Sequence, residues 1–93
     1  MIKSFRDQEA ELLFQRIPSR KLPQAIWRTA LRKLLMVNAA TSLQDLMAPP
    51  GNRLEALKAH RKGYHSIRIN DQWRLCFRFY QGDAYEVEIT DYH

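Results

Sequence analysis

Residues 64–79, Tyr64-His65-Ser66-Ile67-Arg68-Ile69-Asn70-Asp71-Gln72-Trp73-Arg74-Leu75-Cys76-Phe77-Arg78-Phe79, carry a strand pattern on which the rest of the architecture depends. Ile67 and Ile69 alternate with Ser66 and Arg68, and Trp73, Leu75, Phe77 and Phe79 alternate with Arg74, Cys76 and Arg78. Farther on, Tyr85, Val87 and Ile89 alternate with Glu86, Glu88 and Thr90. A period of two is the mark of a half-buried strand. Three amphipathic strands with short turns at Asn70-Asp71-Gln72 and Gln81-Gly82-Asp83 therefore form an antiparallel meander.

The apolar sets fix the register, because a slip of one residue would turn a strand's apolar side chains to water. At the first turn this sets Ile69 opposite Trp73 and Ile67 opposite Leu75. At the second, a two-residue turn would place Phe77 opposite Glu86, so a three-residue turn is expected, with Phe79 opposite Tyr85, Phe77 opposite Val87 and Leu75 opposite Ile89. The other face then reads Tyr64–Arg78–Glu86, Ser66–Cys76–Glu88 and Arg68–Arg74–Thr90. Arg68 opposite Arg74 is a like-charge pair, which weakens a sheet. Either the side chains splay into solvent or toward Glu88, or the pair awaits an anion. Tyr92 shares the parity of Arg74, one step beyond Thr90.

Before the strands the period is that of a helix. Asp7 is a plausible N-cap, Ala10, Leu13, Phe14 and Ile17 share one helical face, and Pro18 ends it. Pro23 suits a first helical position, and Leu22, Ile26, Ala30, Leu34 and Val37 form a second stripe, with Arg28, Arg32 and Lys33 pointing away. Asn38 is the expected stop, Ser42 to Asp45 can start one more short turn, and Pro49-Pro50-Gly51 breaks the chain. Met1–Phe5 is short enough for an edge strand. The expected fold is α+β: two N-terminal helices packed on one face of a twisted antiparallel sheet, in a single domain over residues 1–93.

Composition bounds the function. Ninety-three residues, 45% hydrophobic and 27% charged, make one small globular domain rather than a disordered tail or fibrous repeat. No apolar run is long enough to span a membrane, the first residues lack a secretory signal, and the lone Cys76 cannot form an internal disulfide, so a cytoplasmic location is expected. The net charge of +5 is unevenly spread. Residues 12–44 carry six basic and no acidic side chains, residues 53–81 seven basic and two acidic, and residues 83–93 four acidic and no Lys or Arg. Such segregation suits a surface that meets a polyanion, or simply a solvated basic face.

Several chemistries are disfavoured. Glycines at 51, 63 and 82 make no phosphate loop, and His60, His65, His93 and Cys76 lack the paired spacing of a zinc site, so neither metal nor cofactor is expected. His65 has core parity and reads as a packed residue; Cys76 reads as a polar-face bystander. Lys62-Gly63-Tyr64 partly imitates an RNA-recognition motif, but that fold needs a helix where only Gln81-Gly82-Asp83 intervenes. Metal-free RNA cleavage needs a base for the 2′-hydroxyl, an acid for the leaving 5′-oxygen and a cation at phosphorus. Asp91-Tyr92-His93 beside Arg68 and Arg74 contains those parts.

The segments Asn52-Arg53-Leu54-Glu55-Ala56-Leu57-Lys58, Arg61-Lys62-Gly63-Tyr64-His65-Ser66-Ile67, Asn70-Asp71-Gln72-Trp73-Arg74-Leu75-Cys76-Phe77, Gly82-Asp83-Ala84-Tyr85 and Asp91-Tyr92-His93, with the opening Met1–Phe5, resemble the HigB branch of the RelE/ParE toxin superfamily. The resemblance implies a toxin of a type II toxin–antitoxin system. Such a toxin is an endoribonuclease that cuts mRNA on the ribosome and is neutralised by a helix-turn-helix, HigA-like antitoxin, in a complex able to bind operator DNA. By the same resemblance Asp91, Tyr92 and His93 match the C-terminal catalytic cluster, Arg74 contacts the scissile phosphate, and Lys58 matches a lysine of the Leu-x-x-Leu-Lys motif. Arg53, Arg61, Lys62 and Arg68 complete the expected RNA-binding set. This chain departs from the family in having Glu55-Ala56 where better-understood members carry His-Pro, and Ala59-His60 where Gly-Asp is usual. Either Glu55 serves as the base, His93 and Asp91 suffice, His60 substitutes, or this branch cuts differently or weakly. Rival readings are a non-enzymatic ParE-like inhibitor of a protein such as DNA gyrase, and a simple RNA-binding module.

Overall fold

The computed structural model describes residues 1–57 and 62–91. Three helices, α1 (Gln8–Phe14), α2 (Gln24–Ala39) and α3 (Leu43–Met47), and a 3₁₀ turn at Pro50–Asn52 precede the strands β1 (Glu55–Ala56), β2 (Tyr64–Arg68), β3 (Trp73–Tyr80) and β4 (Asp83–Asp91). The strands form an antiparallel sheet in the order β1-β2-β3-β4. The fold is α+β, and α1 and α2 lie against β3 and β4.

Each element has a local cause. One oxygen of Asp7 accepts from the Ala10 amide at 2.6 Å and starts α1, while its other oxygen accepts from the Ile89 amide at 2.9 Å, so the cap also ties helix to sheet. The helix ends at Phe14 rather than running to Pro18. A residue before proline is sterically driven out of the helical region, and the chain leaves through a left-handed Arg16 (φ 62°). The amides of Arg16 and Ile17 bond back to the carbonyls of Leu13 and Leu12, both at 2.9 Å. Ile17 therefore does not join the core and lines an apolar groove with Leu13, Trp27 and Leu31. In α2 the stripe Ile26, Ala30, Leu34 and Val37 is buried, and Leu22 joins it from the preceding turn. Pro23 stands just before the first helical residue, and Asn38 accepts the Ile2 amide at 2.9 Å. Ser42 and Asp45 form a reciprocal capping box on α3.

The β2–β3 register is the expected one: Ile67 faces Leu75 and Arg68 faces Arg74. The β3–β4 pair differs. Tyr80 pairs with Asp83, leaving a two-residue turn whose central Gln81 and Gly82 both have positive φ (48° and 81°), as the favoured hairpin turn demands. Arg78 then faces Tyr85 and Phe79 faces Ala84, so neither the Phe79–Tyr85 pair nor the Tyr64–Arg78–Glu86 row forms as written. A bulge at Glu86, left-handed at φ 52°, inserts one residue and restores the parity, so that Cys76 faces Glu88 and Leu75 faces Ile89 as expected. The Glu86 amide is satisfied by Ser4 Oγ at 2.9 Å. Met1–Phe5 runs alongside β4 in parallel bridges Ile2–Ala84 and Phe5–Val87, and so borders the sheet.

The core between helices and sheet holds Leu34, Val37, Leu46, Ile67, Leu75, Phe77 and Val87, all essentially inaccessible. Removing a side chain such as that of Phe77 would cost about 3–5 kcal/mol. His65 stacks on Phe77 at 6.4 Å, a packed residue as its parity implied. Two expectations fail here. Lys33 does not point to solvent but is 5% exposed, and Cys76, read as a polar-face residue, is 1% exposed. A twisted sheet has room to bury part of its second face too, and Ser66, Cys76 and Arg74 are buried on it.

Candidate functional site

The turn before β1 is marked by Pro49-Pro50-Gly51, but β1 itself has no signature in the sequence pattern, and the candidate site is built on both. After Asn52 the chain enters a left-handed conformation at Arg53 (φ 44°, ψ 57°). It then pairs Glu55 with Ser66 and Ala56 with His65 at the edge of the sheet. Glu55 is thus a strand residue, not a loop residue. Two residues of strand give little pairing energy of their own, so side chains and carbonyls from the neighbouring strands must hold this segment.

Arg74 is that holder. Only 8% exposed, it donates from Nε to Ser66 Oγ at 2.9 Å and from Nη2 to the Arg53 carbonyl at 2.7 Å. A longer bond from Nη2 reaches the Ser66 carbonyl at 3.4 Å. Glu55 Oε1 stands 3.8 Å from Nη2, with a side chain 58% exposed. A guanidinium presents its donors in a rigid fork. Fixing Nε and Nη2 to neutral acceptors therefore fixes the plane of the charge. Glu55 keeps most of its carboxylate in water beside that charge.

Arg68 lies directly across the ladder from Arg74, and the like-charge pair is resolved by divergence. Arg68 turns to Asp71 in the adjoining turn, and Arg74 turns inward to Ser66 and Arg53. The splay is not toward Glu88, which pairs with Arg6 at 3.5 Å. Asp91, the last residue of β4, faces Trp73 across the ladder and accepts from Gln72 Nε2 at 3.0 Å. It is exposed, one ladder step from the Arg74–Thr90 pair.

Of the expected site residues, the structure brings Arg74, Glu55 and the Arg53 backbone into contact, sets Arg68 alongside, and places Asp91 at the adjoining strand end. Lys62 is exposed in the turn before β2. Lys58, His60, Arg61, Tyr92 and His93 lie outside the described residues. Ser66 stands in its expected row, but its part in holding Arg74 does not follow from the period, nor does the bond of the turn residue Gln72 to Asp91. The contact of Asn52 and Lys33 beneath the site does not follow from it either: Lys33 Nζ donates to Asn52 Oδ1. Burial chiefly, then the nearby charges of Arg32 and Arg68, push the Lys33 pKa down. No trio of metal-ligating side chains gathers among the described residues, and no helix there is long and apolar enough to cross a membrane.

At the hairpin end of the same face the chemistry is different. Tyr64 donates its phenol to Glu86, which raises the Tyr64 pKa. The Arg78 guanidinium lies 5.0 Å from the Tyr85 ring centroid and 5.7 Å from that of Tyr80.

Residues 3–93 match the family model described as the RelE-like toxin of the type II toxin–antitoxin system HigB. Among curated proteins, Toxin HigB-1 of Vibrio cholerae serotype O1 is 39% identical over 85 residues, covering 90% of each chain. Endoribonuclease HigB of Proteus vulgaris is 34% identical over 93 residues, the full length of both. Among solved structures, YafQ from E. coli BL21(DE3) superimposes with a TM-score of 0.54 at 18% identity, over 94% of this chain and 89% of that one. A point mutant of E. coli YafQ gives 0.55 at 16% identity, over the same shares of both chains. These two share the fold.

Proposed function

The chain belongs to the HigB-like family of RelE-like toxins of type II toxin–antitoxin systems, and from that premise we propose that it is a metal-independent endoribonuclease that cuts mRNA on the ribosome and so arrests translation. Membership implies an antitoxin partner. The name of the Proteus vulgaris relative supports RNA cleavage, and the geometry around Arg74 supports the mechanism.

The observation that carries this reading is Arg74: a buried guanidinium whose plane is set by Ser66 Oγ and the Arg53 carbonyl, with the Glu55 carboxylate 3.8 Å away. In this reading Arg74 and Arg68 hold the scissile phosphate. Glu55 takes the 2′-hydroxyl proton, the 2′-oxygen attacks phosphorus, and the P–O5′ bond breaks. The 5′-oxygen receives a proton from His93, leaving a 2′,3′-cyclic phosphate and a 5′-hydroxyl. Asp91 and Tyr92 orient that acid and the ribose. Charge accumulates on the non-bridging oxygens in the transition state, and fixed donors act there without the reorganisation that water would require. Lys58, Arg61, Lys62 and Arg53 bind the flanking phosphates.

The antitoxin partner is a helix-turn-helix, HigA-like protein, in a complex that binds operator DNA, and the site of action is the cytoplasm. The test is to express the chain and map mRNA 5′ ends: new ends within translated codons are expected, and they should be strongly depleted with Arg74→Ala. A toxin that stops growth without such ends acts on another target.

A further inference from the structure

A lysine is rarely buried without a strong reason, because desolvating an ammonium is costly. Lys33 is 5% exposed, and its Nζ donates to the side chain of Asn52, itself 0% exposed. Asn52 in turn donates from Nδ2 to the Leu46 carbonyl at 3.0 Å and makes a weaker contact with Met36 Sδ at 3.8 Å. Its amide bonds to the Pro49 carbonyl at 3.0 Å. The next residue is the left-handed Arg53, whose carbonyl holds Arg74, and Glu55 follows two residues later. The hydrogen bond from the middle of α2 to Asn52 and the hydrogen bond from the guanidinium on β3 to Arg53 are thus joined by a single peptide link.

We propose that Lys33 and Asn52 are positioning residues for Arg74: their hydrogen bond locks the left-handed turn at Arg53, which sets the Arg53 carbonyl and the Glu55 carboxylate against the guanidinium. The inference rests on the reading of Arg74 as the phosphate-holding residue. A non-glycine residue in the left-handed region is strained and persists only where its surroundings fix it. Here a two-residue strand on one side of Arg53 supplies little restraint, and Asn52 on the other supplies three hydrogen bonds to helical or turn partners through its amide, Oδ1 and Nδ2. A misplacement of an ångström at a charge-stabilising group costs up to about 10²-fold in rate. A buried clamp outside the cleft can therefore set the rate without touching RNA.

The experiment compares Lys33→Met, Lys33→Gln and Arg74→Ala in ribosome-dependent cleavage, with kcat and KM measured separately and folding followed by circular dichroism. Lys33→Met keeps the aliphatic stem; kcat should fall by about 10–100-fold with KM within about threefold. Lys33→Gln keeps an N–H donor one bond shorter than the lysine's and should recover part of that loss. A merely structural role would lower the melting temperature and leave kcat of the folded protein unchanged. Wild-type kcat in Lys33→Met beside an inactive Arg74→Ala overturns the clamp and leaves the Arg74 reading standing. Full activity of Arg74→Ala overturns the reading beneath it. Should Lys33→Met fail to fold, NMR on the wild type decides. A protected Lys33 ammonium signal with a cross-peak to the Asn52 amide, and a slowly exchanging Arg74 Hε, are expected, and the absence of either overturns the clamp.

Discussion

Arg74 and Arg78 project from the same face of β3, four residues apart, and the fold uses them in opposite ways. Arg74 has a side chain 10% exposed, held by the Ser66 hydroxyl and the Ser66 and Arg53 carbonyls, with the Glu55 carboxylate at 3.8 Å. Arg78 has a side chain 40% exposed, bracketed by the rings of Tyr80 and Tyr85 and 3.9 Å from Glu86. The first cation is oriented by neutral acceptors in a low-dielectric setting, where its field on a bound anion is strong. The second is screened by water and satisfied by aromatic faces, an arrangement that stabilises a hairpin. Neither difference is a property of arginine. The segment carrying Arg53 and Glu55 covers one, and the two-residue turn at Gln81-Gly82 sets Tyr85 opposite the other.

The largest expected effect lies at the first end. Arg74→Ala should reduce ribosome-dependent cleavage by about 10²–10³-fold, the ~3–4 kcal/mol typical of removing one donor from a developing oxyanion. Mapped 5′ ends and growth curves check it, and retained cleavage would erase the contrast between the two arginines. Glu55→Gln should follow at about 10²-fold, the lower end of general-base effects, because an exposed carboxylate leaves room for water to substitute. A rate equal to wild type would remove Glu55 from the proton transfers.

The third effect is on stability and concerns the buried Lys33. The Lys33 pKa in the folded chain lies below the ordinary 10.5. Between the folded value and 10.5 the unfolded chain binds the extra proton, so this group makes stability rise with pH and its slope vanishes above 10.5. Denaturant melts of wild type and Lys33→Met at a series of pH values should therefore diverge in favour of the wild type as pH approaches 10.5; Tyr64 titrates in both proteins and cancels. A difference independent of pH would contradict the lowered pKa.

The hairpin end should respond in stability alone. Arg78→Ala should leave cleavage within about twofold and lower stability by about 1 kcal/mol through its lost aromatic contacts, measured by thermal melts. A large loss of cleavage would give both arginines a place in the site. Smallest of all, Gln81→Asn should raise stability by about 0.5 kcal/mol in the same melts, since asparagine tolerates the positive φ of this turn better than glutamine.

Much of this was legible in the sequence. The alternation around Ile67, Leu75 and Ile89 set two faces and most of the register, and the stripe from Leu22 to Val37 set the helix that covers one of them. The Arg68–Arg74 pair followed from parity alone. The hairpin did not, because parity argues for a three-residue turn while Gln81-Gly82 prefers a two-residue one. Both are satisfied by a bulge, and its position at Glu86 depends on Ser4, some eighty residues away, accepting the Glu86 amide. The segment around Glu55 was equally opaque: two strand residues have no period, and what holds them is Arg74.

The class of fold, the two faces of the sheet, the strand on which Arg74 lies and the resemblance to a family are all written in the order of the residues. These are consequences of local spacing, since periods of two and 3.6 are imposed by backbone geometry within each element. It took the assembled fold to bury Lys33, to make Cys76 inaccessible on a face expected to be polar, to fix Arg74 through Arg53 and Ser66 while leaving Arg78 without those partners, and to stand Glu55 beside the first of them. Burial and partner choice depend on which segments cover a residue after the chain has folded. Such segments are joined by contacts between positions far apart in sequence, and no local pattern records them.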